Sequence, residues 1–541
     1  MIEVSLSKNN GNGYKWFSTE RVSVKGYLFT KEGVLYKDKH LLDYFLPMRE
    51  KADFIEKIAT ATGLFSVIIH DGKRLLAATD IVRTFPLFYT QSGDNFHISD
   101  TTAPLLKEVP SSLLNERSVL QFEAIVYVLG RDTLINNVFQ VQAGEAVSYD
   151  ETGFSRRFYA DNPFRQPISE MSKAQLNVEF NRMLSLLSKR LSAMIDGRPV
   201  VLPLSGGYDS RLLACLLKSE GYENVTCFTY GSTGTPEREN ARKTAEALGY
   251  KWFFIDYCDY LNEDVSGSKQ FEEWIDFTSC HSSFFYFQEY LAARTLKEKK
   301  LIPSDAVIIP GHTADVTAGG HLMQCMAQMD SLPSLVRYAS LKSITLKRLK
   351  KEERKALDKD IARTMCYYNT EPVDYRWYEQ WQTKERQAKQ IVNSSKIWDF
   401  FGFQYILPFW DELFVSFFSS LPFSYKVNKN FYNEAVNELF AEKGVSLGHN
   451  SRSSQFAIWK QQVKLRLMKI PPLHSLLYRN NLWKADYACY RHFTKKMVAD
   501  LERSGNYKGI LRFNGILSAW YLLYIRRKDS LSSQKEKPGS H

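Results

Sequence analysis

Residues 201–217 read VLPLSGGYDSRLLACLL. An apolar run ends in proline and leucine, S-G-G-Y-D-S follows, and apolar residues then return at helical spacing. The pattern predicts a buried strand, a tight loop and a buried helix. A strand-loop-helix unit of this kind turns backbone N–H groups and a helix N-terminus toward whatever lies above the loop, which is how such units hold phosphate. Gly206 and Gly207 allow close backbone approach, and Ser205 and Ser210 add hydroxyl donors. Asp209 repels an anion unless a cation lies between them, so its presence points to Mg²⁺ bridging phosphate oxygens. The loop therefore answers to a magnesium nucleotide. It is not a Walker A loop, because G-K-[ST] is absent. At average residue abundances, S-G-G-x-D-S arises by chance in a chain of this length with odds on the order of one in a thousand.

The flanks set the fold class. From about residue 170, the helical pattern NVEFNRMLSLLSKRLSAMI precedes strand VVLPL, helix SRLLACLLKSEG, strand VTCFTYG, helix RENARKTAEALG and strand KWFFIDY. Strands alternating with helices predict a parallel sheet with crossover helices, and AVIIPG extends the same sheet. Residues 330–470 read as mostly helical, with a solvent-exposed charged helix near ITLKRLKKEERKALDKDI. The first 160 residues differ. VSVKGYLFT, GLFSVIIHD, KRLLAATD, TFPLFYT and NFHISD predict short strands, interrupted by helices near KADFIEKIATAT and SVLQFEAIVYVLG, which is an α+β domain of mainly antiparallel strands. ADNPFRQPIS, with two prolines among polar residues, reads as the linker. The expected organisation is 1–160, 170–440, a basic and mainly helical extension at 441–530, and a disordered tail at 531–541.

Bulk properties agree with a multidomain soluble chain. The 541 residues exceed what one core accommodates, and 14% aromatic content favours large cores over disorder. The 7 cysteines are scattered without C-x-x-C or metal spacing, so a reducing cytoplasm is expected. No apolar stretch reaches spanning length, and MIEVSLSKNNGNGYKW lacks the apolar core of a signal peptide. The net charge of +11 is concentrated: residues 451–530 carry 16 Lys and Arg against 4 Asp and Glu. Such a region suits a phosphate-bearing substrate, nucleic acid or an anionic membrane surface, and is equally compatible with a plain solvated face.

The loop resembles the PP-loop of ATP pyrophosphatases, enzymes that cleave ATP between the α- and β-phosphates and adenylate a substrate oxygen. Three further stretches resemble asparagine synthetases. PGHTADVTAGGH (310–321) is similar to the segment that supplies their second metal aspartate, which places Asp315 in that role; Val316 stands where the family has Glu, and His321 where it has Tyr. GFQYILPFWDELFVSFFSSLP (402–422) and KNFYNEA (429–435) resemble E-x-R-x-P-F-L-D and K-x-x-L-R-E-A. GLFSVIIHDGKRLLAATDIVRTFPLFY (63–89) and VYVLGRDTLINNVFQVQAGEAVSYD (126–150) look like class II glutamine amidotransferase domains, whose fold is of the N-terminal-nucleophile (Ntn) hydrolase type. The resemblance spans roughly 20–440. Together with VTCFTYG and GYKW, these motifs are most similar to asparagine synthetase-like proteins of bacterial surface polysaccharide gene clusters.

What the resemblance implies is an ATP- and Mg²⁺-dependent ligase that adenylates a carboxylate and passes the acyl group to ammonia or an amine. Leu204, Ser205, Gly206, Gly207, Asp209, Ser210, Tyr230 and Gly311 would bind ATP and pyrophosphate, Asp209 and Asp315 the metal. The departures matter too. Residue 2 is Ile and no cysteine precedes Cys215, so the amidotransferase-like domain is expected not to hydrolyse glutamine. Gln404 replaces a Glu and cannot serve as a base at neutral pH, and Ile406 replaces an Arg. The family's C-terminal lysine has no clean counterpart, leaving Arg452 and Lys460 as the nearest basic candidates and His312 as a candidate proton acceptor. The expected partners are a small carboxylate substrate, such as a sugar acid on a nucleotide or lipid carrier, and ammonia or an amine, with no nucleic acid. Peripheral membrane association, a homo-oligomer, a peptide or β-lactam cyclising ligase and a non-catalytic ATP-binding protein all stay open.

Overall fold

The computed structural model describes residues 1–7, 12–109, 114–160, 165–235, 237–284, 286–369, 372–446 and 486–535, with side chains through 528. The N-terminal 160 residues hold two sheets. One has strands Gly153–Phe158, Glu145–Asp150, Leu75–Thr79, Thr62–His70 and Val22–Phe29 in antiparallel order, with Phe17–Ser18 and Leu35–Lys37 both pairing to the last. The other runs Ile2–Ser5, Asn95–Ser99, Phe88–Ser92 and Phe139–Gln140, its first pair parallel. Thr62–His70 shows why the run TGLFSVIIH is almost continuously apolar. Phe65, Val67 and Ile69 enter the main core while Ile68 faces the second sheet, so the strand is covered on both faces.

From Lys173 the predicted alternation is present. The helix Lys173–Ile195 opens with a Ser172–Gln175 capping box. A five-stranded parallel sheet follows, in the order Lys251–Asp256, Val225–Gly231, Val200–Pro203, Val307–Ile308, Gln404–Tyr405. The chain moves outward in one direction from the central strand and then returns to its other side. The crevice between Val200–Pro203 and Val307–Ile308 is thus a topological switch point, where open α/β sheets bind ligands.

Four details differ from the sequence reading. The charged helix is Lys351–Tyr368, and it is not wholly exposed: Leu357, Ile361, Met365 and Tyr368 are buried, because every third or fourth residue faces the core. The helix Glu116–Ile125 stops at Val126, which adopts φ 70°, so YVLG is buried irregular chain rather than helix. The strand from TFPLFYT starts only at Phe88. The expected tail from residue 531 is helical as far as Lys535, the end of Phe513–Lys535.

The two halves share one apolar core and meet through polar contacts. Lys25 pairs with Asp399 at 2.9 Å with both side chains buried, and Tyr14 Oη donates to the Tyr405 carbonyl at 2.6 Å. The wholly buried Lys389–Glu385 pair (2.7 Å) donates to the carbonyls of Val128 and Gly130 and accepts the Gly130 N–H. Those backbone partners offset the cost of burying two charges. Among the described residues no helix is long and apolar enough to cross a membrane.

Candidate active site

A cavity of about 550 Å³ lies over the carboxyl ends of three parallel strands, lined by Pro203, Thr229–Gly231 and Pro310–Gly311 at their tips. The Ser205–Ser210 loop forms its floor. The loop is tied from within: the Ser205 N–H donates to Ser210 Oγ at 3.0 Å, the two hydroxyls lie 3.1 Å apart, and the Gly207 N–H donates to Ser205 Oγ. The helix Tyr208–Ser219 that follows has Gly207 as its N-cap and no capping side chain. Among the described residues no side chain caps this helix start, and Tyr208, Asp209 and Ser210 of its first turn line the cavity, the arrangement that attracts an anion.

Gly311 sets the depth of the crevice. A Cβ there would sit 2.8 Å from the Ser210 N and 2.9 Å from its Cα, so only glycine lets the two strand-end loops touch. Beyond it, the short turn Ala314–Thr317 carries Asp315, whose N–H donates to Oδ2 of Asp209 at 3.0 Å, while Tyr432 Oη donates to Oδ1 at 2.8 Å. Burial, and after it the charge of Asp315, pushes the Asp209 carboxyl above its ordinary range; the two hydrogen bonds and Lys429 pull it back. Two carboxylates held against each other beside an anion site are an oxygen donor set suited to a hard divalent cation, with phosphate oxygens and water completing it.

Of the residues singled out by sequence, Leu204, Ser205, Gly207, Asp209, Ser210, Tyr230, Gly311, His312 and Asp315 all line this cavity. Gly206 does not; it faces the side chain of Asn240. Leu202, within the strand Val200–Pro203, is fully buried, and Pro203 at the strand end lines the wall. His312 is not a solvent-facing loop residue. Its Nε2 lies 3.0 Å from Ser395 Oγ, and burial lowers its pKa to about 4, so it is a neutral ring. His321 lies elsewhere, 3.3 Å from Glu379. Gln404 is also remote, accepting from Arg198 at 2.6 Å, and Ile406 is core. Arg452 and Lys460 lie outside the described residues.

Three contributors escaped the sequence reading. Lys429, to which the sequence reading gave no role, lines the cavity. The signal was present in KNFYNEA, and Gly320 makes room for it: a Cβ there would meet the Lys429 Cδ at 3.1 Å. Glu289, in the aromatic run FFYFQEY, also lines the wall; its Oε2 has no hydrogen-bond partner, and burial pushes its pKa up to about 7. The third is the segment Asp486–Tyr490 from the C-terminal region. It closes one side of the cavity, and its Tyr487 carbonyl accepts the Ser232 N–H at 2.6 Å.

Residues 184–442 match the family model of asparagine synthase. They form an asparagine synthase domain. It contains the loop, both aspartates, His312, Glu289 and Lys429. The chain is also 37% identical over 87 residues to the tRNA-specific 2-thiouridylase MnmA of a Bradyrhizobium species, a match covering 13% of this chain and 22% of that protein. The chain thus spans about a fifth of the length of the curated relatives it matches. Among solved structures it is similar to the NH3-dependent NAD synthetase of Campylobacter jejuni, at 18% identity over 28% of this chain and 61% of that one, with a TM-score of 0.20. It is also similar to the NMN synthetase of Francisella tularensis, at 16% identity over 52% of this chain and 100% of that one, with a TM-score of 0.19.

Beside the main cavity lies a second chamber of about 250 Å³. It shares Gln288, Glu289, His312, Thr313 and Asp315 with the first and is completed by Val316, Arg386, Gln387 and Ser394. Gln387 is fully buried and both its amide atoms lack partners, as does Thr313 Oγ1. Buried polar atoms left unanswered by protein are rare and call for a polar occupant.

Proposed function

We propose that the asparagine synthase domain is an ATP-dependent, AMP-forming ligase that makes an amide from a carboxylate and an amine or ammonia. The observation that carries this reading is the convergence in one cavity of the uncapped helix start, the Asp209–Asp315 pair and Lys429.

The loop amides and the Ser205 and Ser210 hydroxyls would hold the β- and γ-phosphates, and Lys429 would balance charge gathering on the departing pyrophosphate. Pro203 and Phe228–Tyr230 would border the adenine. Asp209 and Asp315 would hold Mg²⁺, which when bound neutralises the triphosphate. A carboxylate in the second chamber is then placed to attack the α-phosphorus; its oxygen bonds to phosphorus as the bond to the bridging oxygen breaks, and pyrophosphate leaves. The amine nitrogen next bonds to the acyl carbon, the carbon–oxygen bond to AMP breaks, and the amine gives up a proton. Glu289 suits that proton better than His312, because a base poised near pH 7 accepts it at working pH while a ring of pKa about 4 does not.

The N-terminal domain, in this reading, has an amidotransferase-like Ntn-hydrolase-type fold without glutaminase chemistry. It holds no cysteine, and it braces the synthetase site through Val126–Gly130. The domain limits 1–160, 170–440 and 441–530, a cytoplasmic setting and a role in surface polysaccharide synthesis belong to the same proposal. The polysaccharide role rests on the motif resemblance alone.

The test is ATP–pyrophosphate exchange with Mg²⁺ across a panel of carboxylates, comparing wild type with Asp209→Ala. Exchange that depends on one carboxylate and vanishes in the variant supports the ligase. ATP binding without exchange for any carboxylate favours a non-catalytic binding protein, and absence of ATP binding overturns the reading. A sulfur-transfer reading draws on Cys258 and Cys489, whose thiols interact beside the Asp486–Tyr490 segment. Burial raises both thiols, Cys489 to about 11, and neither lines the cavity. Thiolate chemistry at neutral pH is therefore disfavoured.

A further inference from the structure

Ile2, Val4, Phe96 and Ile98 turn into the core between the two N-terminal sheets. Alternation along the paired strands Ile2–Ser5 and Asn95–Ser99 therefore sends Glu3, Ser5 and His97 to the opposite face. Glu108 reaches His97 from the end of the turn Leu105–Lys107, which Leu105 anchors in a buried cluster with Phe88 and Val138. Both nitrogens of the buried His97 ring are engaged. Nδ1 pairs with the Glu108 carboxylate, and Nε2 lies 2.8 Å from Ser5 Oγ. A carboxylate only accepts, so Nδ1 carries the ring proton and Nε2 accepts the Ser5 hydroxyl. Serine, histidine and acid thus stand in the order nucleophile, base and orienting carboxylate. Ile2–Ser5 is the edge strand of its sheet among the described residues, and Ser5 is only half-buried. An open edge leaves the serine approachable and offers unpaired backbone N–H groups to a developing oxyanion.

We infer that Ser5, His97 and Glu108 form a hydrolytic site that cleaves uncharged carboxylic esters. It stands apart from the main cavity, which none of the three lines, and it does not rest on the ligase reading. Ser5 Oγ bonds to the ester carbonyl carbon as its proton passes to His97 Nε2. The bond from that carbon to the alcohol oxygen then breaks, and the alcohol leaves with the proton from Nε2. Water repeats the two steps and releases the acid, which restores Ser5. Glu108 holds the ring orientation and balances the imidazolium that forms. The carboxylates of Glu3 and Glu108 flank the ring and repel an anionic substrate, which is why the ester is an uncharged one. Glu3, His97 and Glu108 also hold ligand atoms within 4.8 Å of one another, as a metal site would. The two acids stand at different ring nitrogens, however: Glu3 lies 3.7 Å from Nε2, and Glu108 pairs with Nδ1. Imidazole binds a cation through one nitrogen, so a cation on either keeps only the nearer acid directly beside it.

The experiment incubates the full chain with a biotinylated alkyl fluorophosphonate and reads Ser5 modification by peptide mass spectrometry, with p-nitrophenyl acetate hydrolysis followed in parallel. Wild type is expected to carry the adduct on Ser5, and Ser5→Ala to lose about tenfold or more of the ester hydrolysis. His97→Asn is expected to slow Ser5 labelling about 100-fold or more, the scale of losing a general base. Glu108 is a positioning residue. Glu108→Gln is expected to slow labelling about tenfold or more and Glu108→Asp to restore much of it, with both thermal transitions unchanged, a split that a purely structural contact would not give. His97 is buried, so if His97→Asn loses its thermal transition, Ser5→Ala and the Glu108 variants decide. Absence of a Ser5 adduct, equal labelling of Glu108→Gln and wild type, or unchanged hydrolysis in Ser5→Ala each overturns the inference. Hydrolysis that persists in Ser5→Ala and stops with EDTA identifies a metal centre and overturns it as well.

Discussion

The Asp315 N–H donates to the Asp209 carboxylate at 3.0 Å, although 106 positions separate the two residues. This bond joins the loop after one parallel strand to the turn after its neighbour, and it aligns two acids whose mutual repulsion a bound cation would relieve. Asp209→Asn keeps an acceptor oxygen but removes the charge. It is expected to lower ATP–pyrophosphate exchange at least about 100-fold while its melting temperature in metal-free buffer stays at or above that of wild type. A variant that retains exchange would dismiss the metal role.

Lys429 reaches the same cavity from the Asn430–Glu442 helix start. Lys429→Ala is expected to cut exchange by about 100- to 1,000-fold, the scale of losing one donor at developing charge, with ATP affinity falling far less. Equal losses in binding and exchange would mean that the lysine serves the ground state only.

Gly311→Ala forces a Cβ to 2.8 Å from the Ser210 backbone nitrogen. The strand-end loops must part, so ATP binding measured by calorimetry is expected to weaken more than about tenfold, with a stability loss of about 1–3 kcal/mol in urea unfolding. Unchanged ATP affinity would mean that the crevice tolerates the shift.

Arg211 is 3% exposed, donates to the carbonyls of Gly207 (3.0 Å) and Ser446 (2.6 Å), and lies 4.6 Å from the Phe440 ring. It anchors the Ser205–Ser210 loop to the C-terminal helix of the asparagine synthase domain. Arg211→Ala is expected to destabilise the protein by about 2–4 kcal/mol, read from urea unfolding, because two carbonyls lose their donor and a buried volume empties. A change below about 0.5 kcal/mol would show that the anchor is dispensable.

Burial raises the Glu289 carboxyl to about 7, above its ordinary value near 4.3. An acid raised in the folded state costs no stability while protonated in both states, and it destabilises progressively as pH rises from about 4 to about 7. Glu289→Gln is therefore expected to match wild type in urea unfolding at pH 4 and to exceed it at pH 8, by about 3–4 kcal/mol. Amide formation should fall in the same variant. Identical stability profiles would remove the case for a raised carboxyl.

The order of strands and helices from Lys173 to Asp256 was legible because each element carries its own period and the turns between them carry glycine and polar residues. The turn SGGYDS was legible for a related reason: a tight strand-to-helix turn is set by a few adjacent residues, glycines and small hydroxyls among them. The charged run Thr383–Val392 shows the opposite. Nine of its ten residues are buried, and Lys384 and Lys389 are satisfied by carbonyls of Ala143, Val128 and Gly130 from the other domain. No local pattern announces partners that lie more than 200 residues away.

By itself, then, the sequence determined the parallel αβ order, the glycine-rich turn at 205–210 and the two aspartates that line one cavity, since these depend on neighbours in the chain or on short recurring motifs. Only the tertiary structure decided that Lys429 and Glu289 face that loop, that Gln404 and His321 do not, and that the 486–490 segment closes the cavity. Hydrogen bonding and close approach across distant segments set those placements, and side-chain burial then tuned the charges.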